Sequence, residues 1–343
     1  MATSPQQGSY RATAQDVADL AGVSRSSVSL VLNGHAKGNV SAAKQQAVLE
    51  AARQLSYRPN ALALSLRSRR SWILGVLTWS GIAGFPQKML HAALETAVGA
   101  GYLTMLMDIP DGVDTELRGV TALLDRQVDG IVVVAPELTD YEVPEALAGV
   151  QTILINCFDP DSRVTSIVPD ELSAAACATQ ILIDRGHTRI SLLADQRSTV
   201  EANHRVDGAR RASADAGLEL TELVSPEASA EGGFILVRAA LESDRPPTAV
   251  VATRERLALG ALLATRDLGL SVPGDLSVVS LDDGETLTTD LVPKIATVQR
   301  PDKAMAEQAV ALLLHEINSS GLHEVKQLTF VCPAFLGQSV VDR

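Results

Sequence analysis

Near the start of the chain, apolar residues recur at helical spacing in three short segments. Spacings of three and four residues place apolar side chains on one face of a helix, so each segment predicts an amphipathic helix. Three short helices of this kind can share one small core. The three stripes are Val17, Leu20 and Ala21, then Val28, Val31 and Leu32, then Val48, Ala51, Ala52 and Leu55.

The first two predicted helices are joined by a very short turn. Gly22 suits a turn with positive φ, and Ser24 is a candidate N-cap for the second helix. Two helices joined in this way form a helix-turn-helix arrangement. The side of the second helix that faces away from its apolar stripe carries Arg25, Ser26, Ser29, Leu30 and Asn33.

This polar side has the composition of a DNA-reading surface. Small hydroxyl side chains permit close approach to phosphates and bases, and arginine can donate two hydrogen bonds to guanine. The other interpretation is an ordinary amphipathic helix whose polar side faces water. Charge favours DNA, because residues 1–70 carry nine Lys and Arg against three Asp and Glu, a balance of 9 − 3 = +6, in a chain of net charge −12. A basic end on an acidic body indicates a polyanionic partner.

Residues 57–71, YRPNALALSLRSRRS, follow the helical segments. Pro59 can begin a helix, but residues 60–67 are too few for a helix that is stable alone in water. The run is rich in leucine and flanked by arginines, so it requires a partner. One interpretation packs it against a second copy over DNA, with a leucine inserted into a minor-groove step. The other is a linker that packs on the next domain, and the sequence leaves both open.

From Trp72 onward, near-continuous apolar runs alternate with amphipathic segments. This alternation predicts a largely parallel, doubly wound α/β fold. The predicted strands are WILGVLTW, YLTMLMD, GIVVVAP, TILINC, ISLLAD, AVVAT, LSVVSLD and LTFVCPAFL, and the predicted helices cover 86–99, 114–127, 171–185, 232–243, 255–268 and 302–318. Some eight strands indicate two sheets, with crossovers near 164–171 and 295–302.

Residues that directly follow predicted strands are candidate ligand contacts, because ligands of doubly wound sheets bind at the carboxyl ends of the strands. Acidic, arginine and aromatic side chains together suit a polyhydroxylated or charged small molecule. Taken singly, each such residue is more often a solvated strand end. The candidates are Trp79, Ser80, Phe85, Asn156, Asp195, Arg254, Glu255, Asp282 and Asp283, with Arg205 at the start of a following helix.

Composition narrows the class of protein. A chain of 343 residues suggests two or three domains. No charge-free apolar run is long enough for a membrane span, and the start lacks the apolar core of a secretory signal, so a cytoplasmic protein is expected. Three widely spaced cysteines fit a reducing compartment. No G-x-S-x-G elbow, Walker A pattern or zinc-ligand spacing is present, so we expect neither an enzyme nor a cofactor or metal.

The segments TAQDVADLAGVSRSSVSLVLN and VSAAKQQAVLEAARQLSYRPNALALSLR resemble the DNA-binding headpiece of the LacI/GalR family of bacterial transcription regulators. By this resemblance, Arg25 and Ser26 occupy the two main base-reading positions, and Leu66 matches an intercalating hinge leucine with Ala63 beside it. Leu30 stands where the family commonly has arginine, so that contact is lost or becomes apolar. Further candidate DNA contacts are Thr13, Ser24, Ser29, Asn33, Ser41, Tyr57 and Asn60.

The body of the chain is similar to the effector-binding domain of the same family, which resembles periplasmic binding proteins of type I fold. VDGIVVVAP, RGHTRISLLAD, HRVDGARRASADAGL and PKIATVQRP follow the family's order. By this resemblance, Arg205 and Asp282 match an Arg and an Asp that clamp the effector. Trp79 and Ser80 lie on the first effector loop, and Asn156 stands where Asp is common.

The largest departure from the family pattern is Arg254-Glu255, where Asn-Asp is usual. One interpretation is that the additional cation favours an acidic or phosphorylated ligand. The other is that Arg254 turns outward and pairs with Glu255.

These features predict a dimeric transcription regulator, usually a repressor, that binds a pseudo-palindromic DNA operator and is controlled allosterically by a sugar-like or related small molecule. The alternative is a small-molecule receptor of periplasmic-binding-protein type without DNA activity. The chain ends soon after its last predicted strand with no heptad tail, which favours a dimer. The predicted domains are a helix-turn-helix headpiece (1–58), a hinge helix and linker (59–71) and an effector-binding and dimerisation domain (72–343), with one lobe at about 72–167 and 301–328 and the other at about 168–300 and 329–343.

Overall fold

A computed structural model of the chain describes residues 12–34, 36–58, 70–79, 86–109, 113–196, 199–281, 291–319 and 324–343. The chain divides into two compact units, Met1–Ser71 and Trp72–Arg343, each with hydrophobic core clusters of its own. Among the described residues, the helices are all too short or too polar to cross a membrane.

The first unit contains the three predicted helices, α1 (Ala14–Ala21), α2 (Arg25–Leu32) and α3 (Ala42–Gln54). The predicted apolar stripe of α1 is wrong at one position, because Leu20 is 52% exposed and Ala18 is buried. At 100° per residue, Val17, Ala18 and Ala21 share the face that packs on α2 and α3, and Leu20 lies off that face. The shared core consists of Val17, Ala18, Val28, Val48, Ala51 and Ala52.

The second unit is built on two six-stranded sheets. The first sheet contains β1 (Ile73–Thr78), β2 (Leu103–Asp108), β3 (Gly130–Asp140), β4 (Thr152–Phe158), β5 (Thr165–Pro169) and β11 (Gln327–Phe330). The second contains β6 (Ile190–Asp195), β7 (Leu220–Ser225), β8 (Ala249–Ala252), β9 (Ser277–Leu281), β10 (Ala296–Val298) and β12 (Ala334–Phe335). Their orders are β11-β5-β4-β3-β1-β2 and β12-β10-β9-β8-β6-β7, and the pairings are parallel except that of β10 with β12.

Helices cover both faces of each sheet. They are α4 (Gln87–Gly99), α5 (Val113–Leu124), α6 (Glu171–Ile183), α7 (Val200–Asp215), α8 (Ala230–Leu241), α9 (Glu255–Asp267) and α10 (Asp302–Asn318), with a short 3-10 helix at Glu145–Leu147. Along β3, Val132 and Val134 pack with α4 and α10, whereas Ile131 and Val133 pack with α5. Along β6, Leu192 packs with α6 and α7, and α8 and α9 lie on the opposite face. The predicted doubly wound α/β fold with two sheets is therefore confirmed.

The number of strands differs from the prediction, since twelve are described rather than about eight. The two segments predicted as crossovers each contain a strand, β5 and β10, before the chain passes to the other sheet. The apolar run LTFVCPAFL is divided between β11 and β12, which belong to different sheets. The sequence analysis missed β7, because this strand lies at a sheet edge and is largely exposed, with Thr221 and Glu222 at its centre.

The chain passes between the two sheets at three places: after β5, after β10, and between β11 and β12. We call the part built on the first sheet lobe 1 and the part built on the second sheet lobe 2. The carboxyl ends of β3 and β6 and the amino end of α7 meet where the lobes face each other, since α7 contacts both strands. This crevice is the expected place for a ligand in a doubly wound fold.

Candidate DNA-binding surface and ligand crevice

Local hydrogen bonds fix the turn between α1 and α2. Thr13 caps α1, with its hydroxyl 2.7 Å from the Asp16 carboxylate and accepting from the Asp16 backbone N–H at 3.3 Å. Gly22 ends the helix in the left-handed region at φ 63°, which glycine adopts without steric cost. The Val23 N–H donates to the Ala18 carbonyl at 3.0 Å, so the turn and the start of α2 have a fixed geometry.

The first turn of α2 presents a compact polar surface. Ser24 caps the helix by accepting from the Ser27 N–H at 3.2 Å, and its hydroxyl lies 2.8 Å from that of Ser26. Ser24, Arg25 and Ser26 are all exposed. The amino end of a helix also attracts anions, because its N–H groups and its dipole point outward. This turn therefore offers a cation, hydroxyl donors and a helix amino end to one polyanionic partner.

The other predicted DNA contacts differ in their exposure and in their hydrogen bonds. Asn33 donates from Nδ2 to the Ser29 hydroxyl at 3.1 Å, so these two half-buried side chains support each other. Ser41 is the exposed N-cap of α3 and makes no side-chain capping bond. Tyr57 packs partly into the helical core. The predicted contacts Asn60, Ala63 and Leu66 lie outside the described residues.

In lobe 1, Trp79 belongs to an aromatic pair that packs on the core between the first sheet and α5. Trp79 directly follows β1 and stacks on Tyr141, with ring centroids 5.5 Å apart and an interplanar angle of 22°. The Tyr141 hydroxyl donates to Glu116 at 2.6 Å, and burial together with this carboxylate raises the pKa of the Tyr141 phenol. The sequence analysis missed Tyr141, although it directly follows β3. Ser80 and Phe85 lie outside the described residues.

Asn156 lies inside β4 rather than after a strand, and it is fully buried with a positive φ of 59°. Its Nδ2 donates to the Ala135 carbonyl at 3.1 Å. Within the described part of the chain, its Oδ1 has no hydrogen-bond partner. Burying an unpaired amide oxygen costs free energy, and strained backbone in folded proteins often occurs at functional sites. The role of Asn156 as a ligand contact stays a prediction.

Arg205 is the most deeply buried cation predicted for the ligand site, with 1% of its surface exposed. Its guanidinium forms a two-pronged ion pair with Glu171, at 2.7 and 3.1 Å, and also donates to the Thr253 carbonyl at 2.6 Å. A second carboxylate, Glu201, lies 3.2 Å from Nη2. Burial raises the pKa of Glu171, the negative charge of Glu201 adds to the increase, and Arg205 opposes both.

Arg254 also lies inside the crevice, so the alternative in which it turns outward is wrong. Only 9% of the residue is exposed. Its guanidinium is paired with Glu201 in lobe 2, lies 3.2 Å from Glu137 in lobe 1, and lies 3.9 Å from Asp195. An acidic ligand could therefore bind this cation only by displacing or joining carboxylates of the protein itself.

The ion pairs of Arg205 and Arg254 form one network centred on Glu201, a residue that the sequence analysis missed. It is fully buried, contacts Arg205 and Arg254, and accepts the Leu138 backbone N–H from lobe 1 at 2.9 Å. Arg300 lies 3.8 Å from Glu201 and pairs with Asp302 at 2.5 Å. The one available signal was the spacing of Glu201 and Arg205, because residues four apart share one face of a helix. The predicted clamp residue Asp282 lies outside the described residues.

Comparison with known proteins agrees with both the helix-turn-helix unit and the two-lobed unit. Residues 13–60 match the family model described as bacterial regulatory proteins, lacI family, and residues 179–340 match a periplasmic binding protein-like domain. The transcriptional repressor PurR of Pasteurella multocida is 31% identical over 90% of this chain and 92% of its own length. The ribose operon repressor of Escherichia coli K12 is 31% identical over 93% of this chain and 97% of its own.

Among solved structures, the lac repressor dimer bound to operator and an anti-inducer has a TM-score of 0.80 and 25% identity, over 97% of this chain and all of that one. These relatives are transcriptional repressors and not enzymes. On this evidence, the chain belongs to the lacI family of bacterial regulatory proteins and is a transcription regulator with a helix-turn-helix DNA-binding unit.

Proposed function

We propose that this regulator is a repressor that binds a pseudo-palindromic operator as a homodimer and is switched by a small-molecule effector. The observation that carries the proposal is the exposed first turn of α2, where Arg25 lies between two serines on a rigid helix-turn-helix. A recognition helix contacts base edges with the residues of its first turn. The solved lac repressor complex with operator supports this use of the unit.

Exposed apolar side chains support the dimer. In lobe 1, Val98 at the end of α4 is 61% exposed and Leu103 on the neighbouring edge strand β2 is 69% exposed. In lobe 2, Ile235 on α8 and Leu263 on the adjacent α9 are 57% and 46% exposed. Edge strands with exposed apolar residues are usually covered by a partner. A dimer that covers both lobes also brings two headpieces to the two halves of one operator.

The crevice supports an effector of the sugar-like class. Trp79 stacks on Tyr141 in lobe 1, Asn156 of lobe 1 has a buried amide oxygen with no hydrogen-bond partner among the described residues, and Arg205 is a buried cation of lobe 2. Arg254 is engaged by Glu137 and Glu201, which disfavours a ligand held mainly by negative charge. Ser80, Phe85 and Asp282 remain predicted members of the same site.

We also infer the domain organisation of the chain: a DNA-binding headpiece at 1–58, a hinge helix and linker at 59–71, and an effector-binding and dimerisation domain at 72–343. The receptor alternative without DNA activity leaves the basic helix-turn-helix unit unexplained. A repressor binds operator DNA and a receptor of this kind does not, so DNA selection is the most direct test.

Selection of genomic fragments by the full-length protein tests the proposal. At physiological salt, we expect enrichment of fragments that share one pseudo-palindrome. A regulator that contacts only phosphates would enrich DNA at low salt alone and without a shared motif, because phosphate contacts weaken steeply with salt. That result would contradict sequence-specific repression.

A further inference from the structure

We propose that two contacts between the lobes, the Arg254–Glu137 ion pair and the hydrogen bond from the Leu138 N–H to Glu201, form an interlobe latch. The latch holds the lobes together without a ligand and thereby sets the DNA-binding state. The regulatory part of the proposal rests on the proposed function.

The latch joins elements that share no sheet. Glu137 and Leu138 lie on β3 of lobe 1, whereas Arg254 precedes α9 and Glu201 lies in the first turn of α7, both in lobe 2. The two interlobe contacts measure 3.2 Å and 2.9 Å. They lie near the carboxyl end of β3, and Glu201 connects them to Arg205. Movement of one lobe away from the other therefore lengthens both contacts together.

The surroundings make this ion pair stronger than an ordinary surface pair. The side chains of Arg254 and Glu137 are only 11% and 18% exposed, so solvent screens their attraction poorly. Glu201 holds the other side of the Arg254 guanidinium within lobe 2. Because that contact orients the guanidinium in advance, little side-chain freedom is lost when Glu137 binds.

The latch couples the crevice to the relative position of the lobes. A molecule that enters beside Arg254 must share its hydrogen bonds or replace Glu137. It then has different affinities for the latched and unlatched arrangements, which is the requirement for shifting a two-state equilibrium.

Hydrogen exchange of the full-length protein, with no small molecule added, tests the latch. Glu137→Gln removes the interlobe charge and leaves Arg254 paired with Glu201, so it creates no unpaired buried arginine. We expect amides 137–140 to exchange about fivefold faster in this variant, since exchange reports the opening equilibrium. Arg254→Gln should have the same effect. Amides 73–78 of β1 report whether lobe 1 itself is destabilised, and their exchange should not change.

A matched control removes an ion pair that lies within one lobe. Arg210 forms a two-pronged pair with Glu222 at 2.6 and 2.9 Å, entirely in lobe 2. Arg210→Gln should leave exchange at amides 137–140 unchanged. If Glu137→Gln and Arg254→Gln also leave it unchanged, the latch does not exist.

Binding to the selected operator then tests the regulatory role. We expect Glu137→Gln to change operator affinity at least about threefold in the absence of ligand, and Arg210→Gln to leave it unchanged. Faster exchange with unchanged operator affinity would overturn the link to DNA binding. If the wild-type protein selects no operator, the proposed function has failed, and the exchange measurement still decides whether the latch exists.

Discussion

Arg25 is the residue on which sequence-specific binding depends most directly. It lies in the exposed first turn of α2, and the bonded serines Ser24 and Ser26 fix the backbone on either side. Arg25→Ala should weaken binding to the best operator by roughly 1–3 kcal/mol and relax the base preference at one position in each half-site. Quantitative binding to a set of operators with single base changes measures both effects.

Arg53→Ala provides the matched control for that variant. Arg53 is an exposed arginine of the same unit, on α3, and donates to its own helix at the Leu49 carbonyl. Loss of this charge should weaken binding to all operators by a similar factor, because a phosphate contact carries no sequence information. Unchanged base preference in Arg25→Ala would show that another residue reads the operator.

His187 should make the stability of the second unit depend on pH. It is 1% exposed, and its ring nitrogens lie 2.9 Å from the Thr248 hydroxyl and 3.1 Å from the Val341 carbonyl. Burial lowers the pKa of the imidazole below its ordinary value of 6.5, and the nearby Arg343 and Arg185 lower it further. The unfolded chain therefore binds a proton more readily, so this contribution to stability is present above pH 6.5 and is lost as the pH falls below it.

Thermal unfolding between pH 7.5 and 5.5 (about two pH units around the ordinary histidine pKa) measures that effect. His187→Gln should lower the Tm at neutral pH and reduce its decline on acidification. His91→Gln removes an exposed histidine paired with Glu95 and should leave most of the decline in place. Equal declines in wild type and His187→Gln would exclude His187 as the source.

At the scale of single residues, the sequence indicated where a side chain lies better than which side chains it contacts. The exposed first turn that carries Arg25 could be predicted because the helix-turn-helix pattern is local, whereas Asn156 lies inside β4 and Arg205 in the second turn of α7, rather than at the predicted strand end and helix start. Glu137 and Glu201 were missed, since their importance arises from pairing with Arg254 across two lobes. Carboxylates 64 residues apart in the sequence give no periodic signal, and a tertiary contact brings them together.

At the scale of elements, α8 and α9 pack in unusually close contact. Gly233 and Gly260 lie at their interface, and a Cβ built on Gly260 would lie 2.5 Å from the Phe234 backbone nitrogen and closer still to the Ala230 carbonyl oxygen, both in α8. Backbone cannot move aside as a flexible side chain does. Gly260→Ala should therefore destabilise the protein by about 1–3 kcal/mol through overpacking. Denaturant unfolding measures the change.

Gly99→Ala is the corresponding control on another helix. Gly99 is the last residue of α4, and an added Cβ there meets nothing within 4 Å. Alanine should be neutral or stabilise the protein by up to about 1 kcal/mol, because glycine has low helix propensity. If Gly260→Ala were as well tolerated as Gly99→Ala, the close approach of α8 and α9 would not limit the packing.

The strands that the sequence predicted and the strands that it missed differ in how far their residues are buried. Strands such as β3 and β6 are buried on both faces, so their apolar runs were clear signals. β10 has only three residues, too few to display a period, and β7 is an exposed edge strand. The division of LTFVCPAFL between two sheets depends on tertiary pairing, which a continuous apolar run does not reveal.

At the scale of the whole molecule, the second unit should fold without the first. The cores on both faces of both sheets consist entirely of residues from Leu74 onward, and the helical unit has its own core. Exposed apolar side chains on α4, β2, α8 and α9 all belong to the second unit as well. A chain that begins at Trp72 should therefore be a folded dimer that melts cooperatively and does not bind the operator.

Sedimentation and thermal unfolding of that fragment, beside the full-length protein, test this expectation. The dimer should persist because apolar burial, rather than the basic headpiece, supplies its free energy. A folded monomer would place the main dimer contacts in residues 1–71. Leu103→Lys in the full-length protein separates the two cases, since a charge on edge strand β2 should weaken the dimer only if lobe 1 forms the interface.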